Sequence, residues 1–324
     1  MERREIAITE IGDIRIGQTE NVDAGTGCTV IVSEQGMPAG LDVRGGGPAS
    51  RESELLKPLA AAQFVHAVVL AGGSAFGLAA GDGVMKCLEE RGIGFDVGVT
   101  KVPLVVQSDL FDLTVGDSKV RPDAAMGYEA ARLALDAPNY RDGNYGAGCG
   151  ATVGKILGMD TCTKTGIGSY AIDIDGFKIG AIVALNAFGD VFDYHDGNKI
   201  AGLIAPDKKS FASTEDVMRQ SLAQVENRFV ENTTLGVVIT NAAFDKVQLT
   251  KIAGMAHNGY ACTICPVHTS CDGDSIYALS VGDMKVDHDL AGTLAAEVIA
   301  EAIIRAVTHA DSAYGYTAAK DFDF

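Results

Sequence analysis

Six apolar runs of only four or five residues, most of them rich in β-branched side chains, punctuate this sequence: Thr29–Val32, Ala67–Leu70, Val102–Val106, Ala181–Leu185, Gly236–Thr240 and Ile276–Leu279. Runs that short and that rich in Val and Ile read as strands. Helical patterns lie between them. Leu78–Arg91 follows a glycine turn and meets Gly92, a natural C-cap. Val247–Asn258 sets Leu249, Ile252, Ala253 and Ala256 on one face and stops at Gly259. Asp289–His309 is apolar on most sides (Leu290, Leu294, Val298, Ile299, Ile303, Val307), as expected of a helix packed on both flanks. Strands and helices mix without strict βα alternation, which predicts a layered α/β (α+β) sandwich. No linker or repeat divides the chain, so residues 1–324 read as one unit.

Composition narrows the partners. Lys+Arg is 26 against Asp+Glu 43, a net charge of −17. A field of that sign repels phosphate backbones and anionic lipid, so neither nucleic acid nor a membrane is an expected partner. The segment Met1–Glu10 has charges but no apolar stretch behind them, so no export signal is expected. The seven scattered cysteines then read as reduced thiols in a cytoplasmic protein. The 39 glycines in 324 residues are about 12%, against a typical ~7%, and imply many tight turns and close backbone approaches.

Several motifs touch known chemistry without completing it. Gly72-Gly73-Ser74-Ala75-Phe76-Gly77 nearly matches the G-x-S-x-G nucleophile elbow, but Phe76 stands at its last position. Its plain reading is a structural or substrate-lining turn. Gly146 to Lys155 imitates a phosphate loop, yet Lys155 is followed by Ile156 rather than Ser or Thr. Lys155 in such a turn is either solvated or aimed into a site. Cys262, Cys265, His268 and Cys271 have the ligand types for a metal but only one knuckle's worth of sequence, so ordinary thiols are expected and no metal.

Asn232-Thr233-Thr234 matches a glycosylation sequon formally, but its place at the head of the strand Leu235–Thr240 matters more. A threonine there is where a self-processing hydrolase puts its nucleophile. Once the preceding bond is cut, the new α-amine, with a reference pKa of ~7.7–8, can take the proton of its own hydroxyl. Asp272-Gly273-Asp274 sets two carboxylates on one side of an extended segment, where mutual repulsion raises one pKa. Each signal alone also fits a common, purely structural use.

Together these stretches resemble one family, the self-processing aminopeptidases and amidases of the DmpA type, which include the nylon-oligomer (6-aminohexanoate) endohydrolases. The resemblance runs nearly end to end through Gly72–Leu78, Phe111-Asp112-Leu113, Val120-Arg121-Pro122, Gly146–Lys155, Ala184–Ala187, Asn232–Thr234, Thr240-Asn241, Pro266–Thr269 and Asp272–Asp274. It implies a four-layer αββα sandwich akin to the N-terminal nucleophile hydrolases. It implies self-cleavage between Asn232 and Thr233, giving an α chain 1–232 and a β chain 233–324 that stay together.

By motif, Thr233 matches the nucleophile and general base. Lys155 and Asn186 match positions that contact it and help hold the oxyanion, and Asp272 and Asp274 match the acidic pair that orients it. Gly73, Ser74 and Phe76 match the turn lining the substrate; the nylon-hydrolase branch carries Tyr where this chain has Phe76. The implied activity is amide hydrolysis through an acyl-enzyme on small peptides, β- or D-amino-acid amides or nylon oligomers. It calls for no cofactor, and the expected assembly is a homo-oligomer of processed heterodimers. Val106–Asp109, Cys262 and Cys265 depart from the family pattern. The runner-up readings are a Ser74-dependent α/β-hydrolase esterase and a metal-binding protein built on the Cys262–Cys271 cluster.

Overall fold

The computed structural model describes residues 2–220 and 232–322. In chain order its main strands are β1 (Arg3–Ile6), β2 (Arg15–Asn21), β3 (Thr26–Met37), β4 (Ala39–Val43), β5 (Ala49–Arg51), β6 (Val65–Ala71), β7 (Val105–Asp109), β8 (Ile167–Ile174), β9 (Phe177–Asn186), β10 (Thr233–Ala242) and β11 (Ser275–Met284). Its long helices are α1 (Ala80–Glu90), α2 (Ala124–Asp136), α3 (Lys246–Thr263) and α4 (His288–Thr308).

The strands form two stacked sheets, one of six strands in the order β1-β8-β9-β10-β11-β4 and one of five in the order β2-β3-β6-β7-β5. Three apolar cores fill the three spaces between four layers. Cys28, Val69, Val84 and Ala131 pack α1 and α2 onto the five-stranded sheet. Ile31, Leu70, Val106, Ile182, Val237 and Leu279 join sheet to sheet. Val183, Val238, Ile252 and Ile299 pack α3 and α4 onto the six-stranded sheet. The αββα sandwich follows from strand alternation. Along β10, Leu235, Val237 and Ile239 face the other sheet, while Val238 and Ala242 face the helices. Both faces are buried, which is why these strands read as continuous apolar runs.

Acidic caps set the helix starts. Asp123, Asp245 and Asp287 accept the N–H groups of Met126, Gln248 and Leu290 respectively. Three expectations change. The run Val102–Val106 divides, because Pro103 has no N–H to donate, and only Val105 onward joins β7. The helix expected to stop at Gly259 continues to Thr263. A Cβ at 259 would lie 2.4 Å from the Ala296 carbonyl, so this glycine lets α3 cross close to α4. The αββα layering also excludes the α/β-hydrolase architecture that the Ser74 esterase reading required. Among the described residues no helix is long and apolar enough to cross a membrane.

Candidate active site

β10 begins at Thr233, and its two neighbours build a site around that end. Antiparallel β9 sets Asn186 opposite Thr233, and parallel β11 sets Ser275 beside Leu235. One residue earlier, Asn232 forms a single parallel bridge with Asp272. By strand alternation Thr233 shares the inter-sheet face of Leu235 and Val237, and Asn186 that of Ala184 and Ile182. Both therefore stand at the end of the gap between the sheets, 4% and 0% exposed.

The Thr233 hydroxyl donates to the carbonyl oxygen of Asn232 at 2.6 Å, and the Gly273 N–H donates to the same oxygen at 2.7 Å. The Asn232 N–H is held by the Cys271 carbonyl at 2.9 Å. A Cβ at position 273 would lie 2.5 Å from Thr233 Oγ, so a glycine is what lets this N–H come so near.

Lys155 is buried, and its Nζ donates to Asn186 Oδ1 at 2.6 Å. Burial pulls its ammonium down to about 8, against the smaller opposing pull of Cys162, Asp272 and Asp112. The Asn186 amide oxygen is doubly engaged, and one of its two N–H donors is used. Its Oδ1 also accepts the Thr152 N–H at 3.1 Å, and its Nδ2 donates to the Phe111 carbonyl at 2.8 Å. One N–H of Asn186 Nδ2 is thus held by Phe111, and its second N–H has the direction left for an oxyanion. The donor that reaches the 232 carbonyl is the Gly273 N–H, while Asn186 holds Lys155.

Both expected carboxylates are buried, and they brace different elements. Asp272 accepts the Thr269 N–H at 2.9 Å, the Thr269 hydroxyl at 2.6 Å and the Phe188 N–H at 3.3 Å. Burial, reinforced by the charge of Asp274, raises its carboxyl to about 6. Asp274 Oδ1 accepts the Thr234 N–H at 2.9 Å, and its Oδ2 accepts the His268 N–H at 3.1 Å.

Residues 7–320 match peptidase family S58. The chain belongs to this family. It is 37% identical to an uncharacterized aminopeptidase of Mycobacterium leprae, with 95% of this chain and 92% of the relative covered. It is 27% identical to a 6-aminohexanoate-oligomer endohydrolase of Kocuria sp., covering 94% of this chain and 86% of that one. Among solved structures it resembles the L-aminopeptidase D-Ala-esterase/amidase of Ochrobactrum anthropi, described as a variant of the Ntn-hydrolase fold (TM-score 0.67, 18% identity, 94% of this chain and 86% of that one). It likewise resembles a Burkholderia sp. beta-aminopeptidase (TM-score 0.64, 20% identity, 94% and 86%). The protein is therefore an S58 hydrolase of amide bonds with an Ntn-type fold.

In this S58 chain the glycine turn joins the site through Asp112, which the sequence reading did not single out as a functional residue. Asp112 accepts the Gly73 N–H and the Thr26 hydroxyl, each at 2.7 Å, and burial raises its carboxyl to about 6. Its neighbour Phe111 supplies the carbonyl that holds Asn186. Ser74 sits at φ +53°, and Phe76 is 59% exposed with the Arg121 guanidinium 3.8 Å from its ring centre. A second missed segment is Gly45-Gly46-Gly47. The Gly47 N–H donates to the Asp272 carbonyl at 2.8 Å and the Gly46 N–H to the Thr269 carbonyl at 3.2 Å, clamping the acidic loop from outside. Its signal was the triple glycine itself. The S58 chain does not gather Cys262, Cys265, His268 and Cys271 into a metal site. Among the described residues no group of three or more His, Cys, Asp or Glu is arranged to hold an ion. Cys262 is exposed on α3, and His268 turns to Asp274 instead.

Proposed function

We propose that this protein cuts itself between Asn232 and Thr233 and then hydrolyses small amides with the freed threonine. In the first stage Thr233 Oγ attacks the Asn232 carbonyl carbon, and the hydroxyl proton passes to the departing amide nitrogen. Water then hydrolyses the ester, leaving a carboxylate on Asn232 and a free α-amine on Thr233. The products are a 232-residue and a 92-residue chain held together by β9–β10–β11 pairing. In the second stage the amine takes the Oγ proton as Oγ attacks a substrate amide. The proton goes on to the leaving amine, and water releases the acyl group.

The observation that carries this reading is the pair of bonds on one oxygen: the Thr233 hydroxyl at 2.6 Å and the Gly273 N–H at 2.7 Å, both on the Asn232 carbonyl. A hydroxyl so near a carbonyl polarised by a fixed N–H is arranged for attack. Lys155 adds a cation behind Asn186 that disfavours protonation of the new amine, and Asp272 and Asp274 hold the strand end and the loop. The substrate class we favour is short peptides and small β-, D- or 6-aminohexanoate amides, by likeness to relatives named for such activities. We further propose a cytoplasmic homo-oligomer of the processed pair.

Intact-mass measurement tests the first stage, and a panel of small amides the second. Wild-type protein is expected as two chains, and Thr233→Ala as one uncut chain without amidase activity. A cut or active Thr233→Ala protein overturns the assignment.

A further inference from the structure

A buried histidine, His257, and a half-buried one, His268, stand behind the acidic loop, and the chemistry above uses neither. His268 lies at φ +57°, in the left-handed region, and this lets one residue place two donors on one oxygen. Its backbone N–H lies 3.1 Å and its ring Nδ1 2.9 Å from Asp274 Oδ2. A carboxylate oxygen only accepts, so Nδ1 carries the proton. The other carboxylate oxygen accepts the N–H of Thr234 at 2.9 Å. That N–H lies just before the first pairing of β10 with β11, which starts at Leu235, so Asp274 supplies the acceptor the ladder does not.

The ring of His268 is wedged. It meets His257 edge to face, with centres 4.7 Å apart at 74°, and lies 5.9 Å from Tyr260 at 33°. His257 Nε2 is 3.1 Å from the Asp42 carbonyl and so bears the proton on that side, leaving Nδ1 bare. Burial keeps His257 neutral by pulling its pKa down. Among the described residues neither His257 Nδ1 nor His268 Nε2 has a hydrogen-bond partner. A wedged ring with one bond only, and that bond to Asp274, has a single polar task.

The geometry points to His268 as a positioning residue: its ring N–H fixes the Asp274 carboxylate, which fixes the N–H of Thr234 and with it the hydroxyl of Thr233. The inference rests on the proposed role of Thr233 and adds to it a residue that touches neither substrate nor scissile bond. A displacement of about 1 Å at a reacting group can cost ~10²-fold in rate.

Three variants test it. His268→Gly removes the ring at a backbone conformation glycine tolerates. His268→Phe keeps a ring but has no N–H. His268→Asn can place Nδ2–H where Nδ1–H was, and asparagine tolerates the left-handed region. Self-cleavage at 232/233 and the kcat of the processed enzyme are expected to fall ~10²-fold in the Gly and Phe variants, with KM within about threefold. Asn is expected to recover both rates to within about tenfold of wild type. A Phe variant as fast as wild type, or an Asn variant as slow as Gly, overturns the positioning role. Thr233→Ala separates the two readings. If it is still cut or active, the nucleophile is wrong whatever the His268 variants do. If it is inert while all three His268 variants match wild type, the positioning role alone fails.

Discussion

Lys155 and Lys164 make a natural pair of controls within one molecule. Both are buried, both have their ammonium pulled down to about 8 by burial, and both lie near the buried Cys162. Their surroundings then diverge. Lys155 Nζ donates to the Asn186 side chain at 2.6 Å, on the residue paired with Thr233, and it feels Asp272 where Lys164 feels Asp311, Asp112 being common to both. Lys164 Nζ donates to backbone carbonyls, that of Thr165 and, at 3.4 Å, that of Gly148. The difference teaches that a depressed lysine pKa marks burial and does not mark function. What separates the two is where the charge is delivered, to a strand end carrying a hydroxyl or to the carbonyls of a loop.

The sharpest way to break this contrast is to remove each charge by a substitution of similar length. Lys155→Met is expected to lower self-cleavage and amidase kcat by ~10²–10³, the size of effect seen when a fixed electrostatic donor is lost from a site. Lys164→Met is expected to stay within about threefold of wild type. Intact mass over time and initial rates on one amide substrate check both. Equal losses in the two variants would sink the distinction.

That contrast also shows how much the sequence could tell. Val68-Val69-Leu70 and Val237-Val238-Ile239 announced their strands because both faces of those strands are buried by large apolar side chains. By contrast α2 went unread. Its buried side is Gly127, Ala130, Ala131 and Ala134, with Leu135 the one large apolar residue, too little to make an apolar stripe. β8 hid for a related reason, with Gly168, Ser169 and Asp173 breaking its alternation. In the site, Thr233, Lys155, Asn186, Asp272 and Asp274 were all named from the sequence, and the structure gathers them around one strand end. What the sequence withheld was which group bonds which. That Asn186 commits one N–H to Phe111, and that Gly47 and Gly273 supply backbone donors, depends on contacts across up to 225 residues of chain. Backbone N–H groups carry no side-chain signature, so spacing along the sequence cannot reveal them.

Stability offers a second, smaller test of the same pair. A lysine whose folded pKa is about 8, against ~10.4 unfolded, binds fewer protons folded than unfolded between those values. Its burial therefore costs stability fully below about pH 8, and that cost fades as pH rises toward 10.4. The size is on the order of 3 kcal/mol. Replacing Lys164 with Met removes that cost but takes the donor from the Thr165 carbonyl, worth ~1–3 kcal/mol, while the Gly148 carbonyl keeps the Ala151 N–H at 3.3 Å. The variant is expected to be near wild type in stability at pH 7 and less stable than wild type at pH 9.5. Urea unfolding at both pH values reads the difference. A variant whose deficit is the same at both would mean that Lys164 stays charged in the folded protein.

The pH dependence of turnover is the finest way to sharpen the comparison, because it asks whether only one of two similar titrations is felt. With the Thr233 amine needed unprotonated and Asp272, raised to about 6, needed as a carboxylate, kcat/KM is expected to fall on the acid side, with Asp272 adding its loss below about pH 6. With Lys155 at about 8 and needed as a cation, it is expected to fall again above about pH 8. Asn186→Asp puts a carboxylate against Lys155 Nζ, favours the ammonium and is expected to carry the alkaline limb to higher pH, even though lost amide contacts lower the maximum. Lys164→Met should leave both limbs in place, because Lys164 bonds backbone carbonyls rather than Asn186 and is not among the groups that shift Asp272. An alkaline limb that moves with Lys164 and ignores position 186 would reverse the assignment of the two lysines.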